Sequence, residues 1–349
     1  MNDSVNTSNT VHLSPGRRSW LRFKANRRGF VSLWLFAILF VLSLGAELMF
    51  NDKPLVIGYQ GALYFPFLRA YPETAFGGDF ETETDYADPY VRRLITAGDN
   101  WVINPIVPFS YNTINFTSTL PTPAPPSSQN LMGTDDRGRD VLARLVYGFR
   151  LSVLFAFVLT SIGVIVGIFA GAVQGYFSGR LDLIMQRVIE VWSSMPELYL
   201  LIIFASIFDP SVLLLIILLS LFGWMGLSDY VRAEFLRGRN MDYVRAARAM
   251  GLSDAAIMRR HLLPNSMTPV ITFLPFRISA SILALTSLDF LGLGVPPTTP
   301  SLGELLSQGK ENIEAWWLSL STFLVLVGTL MLLIFIGEAL REAMDMRKR

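Results

Sequence analysis

Leu151-Ser-Val-Leu-Phe-Ala-Phe-Val-Leu-Thr-Ser-Ile-Gly-Val-Ile-Val-Gly-Ile-Phe-Ala-Gly-Ala-Val-Gln-Gly-Tyr176 contains no Asp, Glu, Lys or Arg. A helix rising 1.5 Å per residue crosses about 30 Å of hydrocarbon in roughly 20 residues, so this stretch is long enough to span a bilayer. Five further apolar runs read the same way: Phe30–Phe50, Val191–Phe208, Ser211–Leu227, Pro269–Leu293 and Leu318–Ile336. Composition agrees, with 52% hydrophobic and 16% charged residues, where a soluble domain carries about 25% charge. The chain reads as an all-α integral membrane protein of six transmembrane helices, each satisfying its own backbone hydrogen bonds. A net charge of +1 leaves no overall field to hold nucleic acid, and the absence of cysteine removes disulfides, thiolate metal sites and a cysteine nucleophile.

Basic residues near the spans set the orientation. Arg17, Arg18, Arg22, Lys24, Arg27 and Arg28 face only Asp3 before the first span, which holds that end in the cytoplasm. Threading six spans then puts Arg180–Arg187, Arg232–Arg260 and Arg341–Arg349 inside, so both termini are cytoplasmic. The acid-rich segments Asn51–Gly148 and Val295–Trp317 fall outside. The leading tail and the first apolar run are both longer than a secretory signal allows, so the first span is read as uncleaved.

The expected organisation is a basic tail (1–29), a first transmembrane helix (30–50), an external lid-like insertion (51–148) and a five-helix core (149–349). The insertion is too long for a plain connector. Its aromatic residues (Tyr59, Tyr64, Phe65, Phe67, Tyr71, Phe76 among them) suit a small core or a partner contact, and Pro121–Pro126 reads as a stiff extended strap.

The most informative inner segment runs from Asn240 to Pro264, two short helices with a hinge. Asn240 is a fair N-cap, and Tyr243, Ala246, Ala247 and Met250 fall at i, i+3, i+4 and i+7 on one face, away from Arg245 and Arg248. Gly251 stands where a left-handed cap ends the first helix, Ser253 caps the second, and Pro264 is expected to stop it before the fifth span. On the residues alone, such a helix suits either a groove in another protein or the lipid surface.

Ala246-Ala247-xxx-Gly251 with Ile257 and Leu263-Pro264 resembles the EAA signature of importer permeases of the ATP-binding cassette (ABC) class. Arg245 replaces the family's leading Glu, a departure shared by its dipeptide and oligopeptide branch. Two further stretches resemble that branch: Leu131-Met-Gly-Thr-Asp135-Asp-Arg-Gly-Arg139-Asp-Val-Leu-Ala-Arg144 before the second span, and Phe290-Leu-Gly-Leu-Gly-Val-Pro296-Pro297 with Pro300, Ser301 and Gly303 after the fifth. The external insertion is similar, more narrowly, to that of the permeases of Yej-type peptide importers. The resemblance implies a type I importer core, a heterodimer with a second six-helix permease, cassette ATPase subunits or one fused ATPase that use ATP and Mg, and a periplasmic protein delivering peptide. It implies the bacterial inner membrane as location. It makes the segment at about 240–264 the coupling helix, with Tyr243, Arg245, Ala246, Ala247, Met250, Gly251, Ser253, Ile257 and Pro264 at the ATPase.

Gly163, Gly167, Gly171 and Gly175 recur every four residues and predict a face for close helix packing. Ionisable residues at membrane depth point to function. Pro196 with Glu197, Arg277 and Asp289 are therefore candidates for the pathway or its gating, whereas Glu190 with Asp182 and Arg187 reads as an ion-pair cluster. Arg277 and Asp289 are too far apart on one helix to pair. Gly303-Glu-Leu-Leu-Ser-Gln-Gly309-Lys310-Glu311 departs from a phosphate loop in glycine spacing and lacks the Ser or Thr after Lys. With only His12 and His261, no zinc or hydrolytic motif is present, so no cofactor and no enzyme activity are expected of this chain. A peptide permease powered by a separate ATPase is the expected function. The alternative is an ion-coupled secondary transporter using Glu197, Arg277 and Asp289.

Overall fold

The computed structural model describes residues 14–116 and 120–345. Asp3, His12 and the basic residues Arg347, Lys348 and Arg349 lie outside them. The basic tail forms helix α1 (Pro15–Ala25) and leads into α2 (Arg27–Leu44), where the Asn26 side chain accepts from the Gly29 amide at 3.1 Å. A single turn, α3 (Ala46–Met49), follows.

The segment between the first two spans holds a three-stranded antiparallel sheet in the order β2-β1-β3, with β1 (Val56–Tyr59), β2 (Ala62–Tyr64) and β3 (Trp101–Ile103), and one short helix, α4 (Pro89–Ile95). Its interior is aromatic. Phe76 is fully buried, and the rings of Tyr59, Tyr64, Tyr71 and Tyr86 meet it edge-on at 5.1 to 6.2 Å between centroids, the geometry that aromatic quadrupoles favour.

The second span is α5 (Val141–Phe177), which begins at Val141 rather than Leu151 because Asp140 caps it, accepting from the Ala143 amide at 2.8 Å. The insertion accordingly ends before residue 148. The expected span Val191–Phe208, in which Pro196 interrupts the helix ladder, is two helices, α6 (Gly179–Ser193) and α7 (Glu197–Ile207), bent by 64°. Pro196 supplies no amide to continue the ladder and disfavours helical geometry at Met195, so the chain turns there and restarts at Glu197.

The fourth span joins α8 (Val212–Gly223) and α9 (Met225–Gly238), broken at Trp224, and continues past the expected Leu227. The extension is held by Arg232, whose Nη2 donates to Asp182 of α6 at 2.7 Å. Asp182 therefore pairs across helices, while Arg187 and Glu190 form an exposed pair of their own. The remaining elements are α10 (Asp242–Ala249), α11 (Asp254–Ile257), a π-helical turn at Met258–Leu262, α12 (Leu263–Phe290), α13 (Leu302–Glu311) and α14 (Trp316–Met344). Among the described residues five helices are long and apolar enough to cross a membrane, and six if the bent α6–α7 pair is counted as one span.

The largest buried cluster joins α2, α5, α12, α13 and α14 through Phe36, Val153, Ile282, Leu305, Leu318 and Leu333. The four glycines of α5 lie along the fourth span, Gly163 against Gly223 at the end of α8 and the other three from Trp224 into α9: a Cβ on Gly167 would stand 2.9 Å from the Trp224 carbonyl, and one on Gly175 would stand 2.5 Å from that of Arg232. Backbone thus packs on backbone, as small residues at four-residue spacing permit.

Candidate functional site

Two polar assemblies close the helix bundle, one at the end expected to face the cytoplasm, the inner end, and one at the opposite, outer end. At the inner end α10 starts after Met241, and neither Met241 nor the expected cap Asn240 provides a side-chain cap. Val244 and Ala247 are buried against Val231, Phe235, Leu262 and Tyr176. Tyr243 (42% exposed), Ala246 and Met250 (71% exposed) point away from the protein. The predicted single face therefore divides. Ala247 belongs to the interior because α10 lies flat on the ends of α5 and α9, and so does Ile257, which is fully buried.

Gly251 has φ of 79°, the left-handed geometry that closes α10 and that a side chain resists. Ser253 caps α11, accepting from the Ala256 amide at 3.4 Å. Arg245 is exposed, with Asp242 4.0 Å away. Pro264 does not stop the helix. It falls in the first turn of α12, behind the π-helical turn at Met258–Leu262, where the wider hydrogen-bond register absorbs its missing amide. Asp254–Phe290 is consequently one continuous helical unit from the elbow into the fifth span.

Tyr176, at the end of α5, has no role in the sequence reading. Its hydroxyl donates to Asp254 Oδ1 at 2.5 Å and accepts from Arg248 Nη2 at 3.1 Å, while its carbonyl accepts from Arg239 Nη1 at 2.8 Å. A tyrosine closing an apolar run was the available signal; its partners lie more than sixty residues away.

At the outer end, the motif around Asp135 and Arg144 forms a buried ionic knot. Asp135 and Arg144 are fully buried and Arg139 nearly so. Arg139 Nε donates to Asp135 Oδ2 at 2.7 Å, and Arg144 Nε stands 3.5 Å from the same oxygen. The other guanidinium nitrogens reach distant backbone: Arg139 Nη1 donates to the Pro297 carbonyl at 3.0 Å, and Arg144 donates to the Tyr111 and Thr299 carbonyls at 3.3 Å each. The second and third resemblance motifs thus hold each other. Burial raises the Asp140 carboxyl above its ordinary value, opposed by bonds from the Ala143 amide and Asn130, and raises Asp136 likewise, helped by Asp135.

The intramembrane candidates separate. Asp289 is buried at the outer end of α12, where it accepts from the Val295 amide at 2.9 Å and from the Ser301 hydroxyl that also caps α13. It staples the turn that follows α12. Glu197 is exposed at the first position of α7, beside Pro196 at the bend. Arg277 donates from Nη2 to the Gly223 carbonyl where α8 ends. None of these three ionisable groups forms an ion pair with another.

Residues 163–349 match the family described as binding-protein-dependent transport system inner membrane component, and residues 14–73 match the N-terminal transmembrane domain of oligopeptide transport permease C. The chain is 52% identical, over 96% of its length and 98% of the relative's, to the inner membrane ABC transporter permease protein YejE of Escherichia coli K12. It is 49% identical to the peptidoglycan transport system permease protein YejE of Agrobacterium fabrum, over 95% of this chain and 93% of that one. Against the dipeptide transport system permease protein DppC of Haemophilus influenzae it is 35% identical over 69% of this chain and 83% of that one. An inward-facing structure of the MetNI methionine ABC transporter matches 58% of this chain and 97% of its own at a TM-score of 0.50 with 18% identity, which supports the fold. Family, relatives and fold agree: the chain belongs to the binding-protein-dependent inner-membrane permeases of ABC importers, in the branch that carries peptides.

Proposed function

We propose that this permease forms half of a peptide passage and takes its motion from a separate ATPase docked on the exposed face of α10. The observation that carries this is the division of that short helix: Val244 and Ala247 anchor it, while Tyr243, Ala246 and Met250 present an apolar strip outward. A large exposed methionine and tyrosine on an anchored helix are suited to a hydrophobic groove. Gly251 and Ser253 set the angle to α11, and the unbroken Asp254–Phe290 unit leads from the elbow into the fifth span. A push on α10 is thereby delivered to the membrane-spanning part, the kind of rigid-element shift that switches access from one side to the other.

On this reading the termini and α10 are cytoplasmic and the sheet-bearing insertion is periplasmic, where a peptide-binding protein delivers cargo. A second six-helix permease completes the passage. ATP and Mg belong to the partner ATPase, as one fused chain or two, and this chain binds no cofactor. The ion-coupled alternative loses its main support with Asp289, which is sealed by Ser301 and the Val295 amide.

Met250→Asp tests the docking. The permease is expected to insert and melt as wild type, because the side chain is exposed, while ATPase co-purification and peptide uptake fall at least about tenfold, the cost of setting a charge in an apolar groove. Wild-type uptake and co-purification in that variant would refute the docking face.

A further inference from the structure

Arg277 is the charge that the fold leaves unanswered. It stands near the midpoint of α12, about 20 Å along the axis from either end. Its Nη2 bonds the Gly223 carbonyl where the fourth span is interrupted and sits beside Gly163 of α5, where an added Cβ would approach it to 3.4 Å. Three spans meet around one guanidinium at mid-depth.

A guanidinium offers five N–H donors. Among the described residues Arg277 uses Nη2 on a neutral carbonyl, its buried Nε has no partner, and no carboxylate pairs with it. Arg139, Arg144, Arg150 and Arg232 each face an Asp or Glu. The difference is one of place: those four are paired within the chain, whereas Arg277 is half-buried between exposed Phe273, one turn before it, and exposed Ala280, one turn after. It is therefore only partly enclosed by this subunit. Ionisable groups at membrane depth turn toward the bundle interior or a watery cavity rather than lipid, so the part left unenclosed belongs to the passage.

We propose that Arg277 is a carboxylate-binding residue of the translocation path, receiving the C-terminal carboxylate of a peptide in transit. The inference rests on the peptide-passage reading. A planar fork with free donors matches a carboxylate in two parallel hydrogen bonds, which an ammonium does not reproduce. The Gly223 carbonyl fixes the plane of the fork without neutralising it, and the missing side chain at Gly163 leaves room beside it.

The test uses the complete transporter, both permeases with their ATPase, in nanodiscs. Radiolabelled tri-alanine and its C-terminal amide are bound at equilibrium without the delivery protein. Wild type is expected to prefer the acid by about tenfold or more, and Arg277→Gln to bring acid binding down to the level of the amide while leaving the amide unchanged. Subunit co-purification of the variant, measured in parallel, shows whether it assembles, so that lost cargo binding is read apart from lost assembly. A wild type that does not distinguish the two forms, or a variant that weakens both alike, overturns the assignment. If Arg277→Gln does not assemble, Arg277→Lys is read instead: an acid preference cut by about threefold or more supports the proposal, and an unchanged preference overturns it. ATP-driven uptake of tri-alanine by wild type, measured in parallel with the delivery protein present, distinguishes the two readings. Its absence would fell the peptide passage itself, whereas intact uptake without acid preference removes only the role of Arg277.

Discussion

The two ends of this permease spend their charges in opposite ways. At the outer end Asp135, Arg139 and Arg144 are sealed from water and their donors are directed to carbonyls of Tyr111, Pro297 and Thr299. At the inner end Arg245 is exposed, and so are the apolar Tyr243 and Met250. A buried ion network is costly to open because each ion left without its partner keeps its desolvation penalty. The outer knot is therefore a finished piece of structure, and the elbow, on the proposed reading, is one that a partner completes.

The comparison breaks first at Arg144. Arg144→Leu strips Asp135 of one cation and abandons two backbone carbonyls, at a cost of about 3 to 5 kcal/mol, the range for breaking a buried pair. Thermal unfolding in detergent should show a large loss, and a melting temperature near wild type would mean that the knot is not structural. Gly251→Ala probes the other end. Left-handed backbone costs an alanine about 1 to 2 kcal/mol, and no neighbour lies within 4 Å of the added Cβ. Uptake should fall several-fold from a misdirected elbow while global melting barely moves; equal losses in both would place Gly251 with the knot.

The smallest effect is expected at Asp136. Burial raises its carboxyl above the usual 3.8, so the folded state holds the proton more tightly than the unfolded chain. Its contribution is most favourable below 3.8 and is lost as pH rises through the raised folded value. Asp136→Asn should gain less than about 1 kcal/mol at neutral pH and flatten the fall in stability between acid and neutral conditions, read from melting temperatures across that range. An unchanged pH profile would show that the carboxyl carries no such cost.

The six crossings were legible because about 20 apolar residues in a row have few other uses. Their ends were not. Asp140 starts the second span early through a side-chain cap, and α9 runs past the apolar stretch because Arg232 finds Asp182 on another helix. Pro196 announced an interruption, but the 64° turn depends on what packs around it. Gly251 was readable since its geometry is one that glycine favours, whereas the face of α10 was only half right. Helical periodicity groups Tyr243, Ala246, Ala247 and Met250, and it does not say which of them the protein keeps for its own core. The outer knot and Tyr176 escaped because their partners come from distant segments that no local pattern connects. Asp289 reads from the sequence as a charge at membrane depth, but α12 ends one residue later.

The glycine ladder of α5 has a mechanical corollary. With Gly163 set against Gly223 at the end of α8, and Gly167, Gly171 and Gly175 against the backbone from Trp224 to Arg232, the second and fourth spans approach as closely as their backbones allow. The interruption of the fourth span at Trp224 lies on this seam. On the proposed reading, a displacement fed in from the elbow would carry the two spans together.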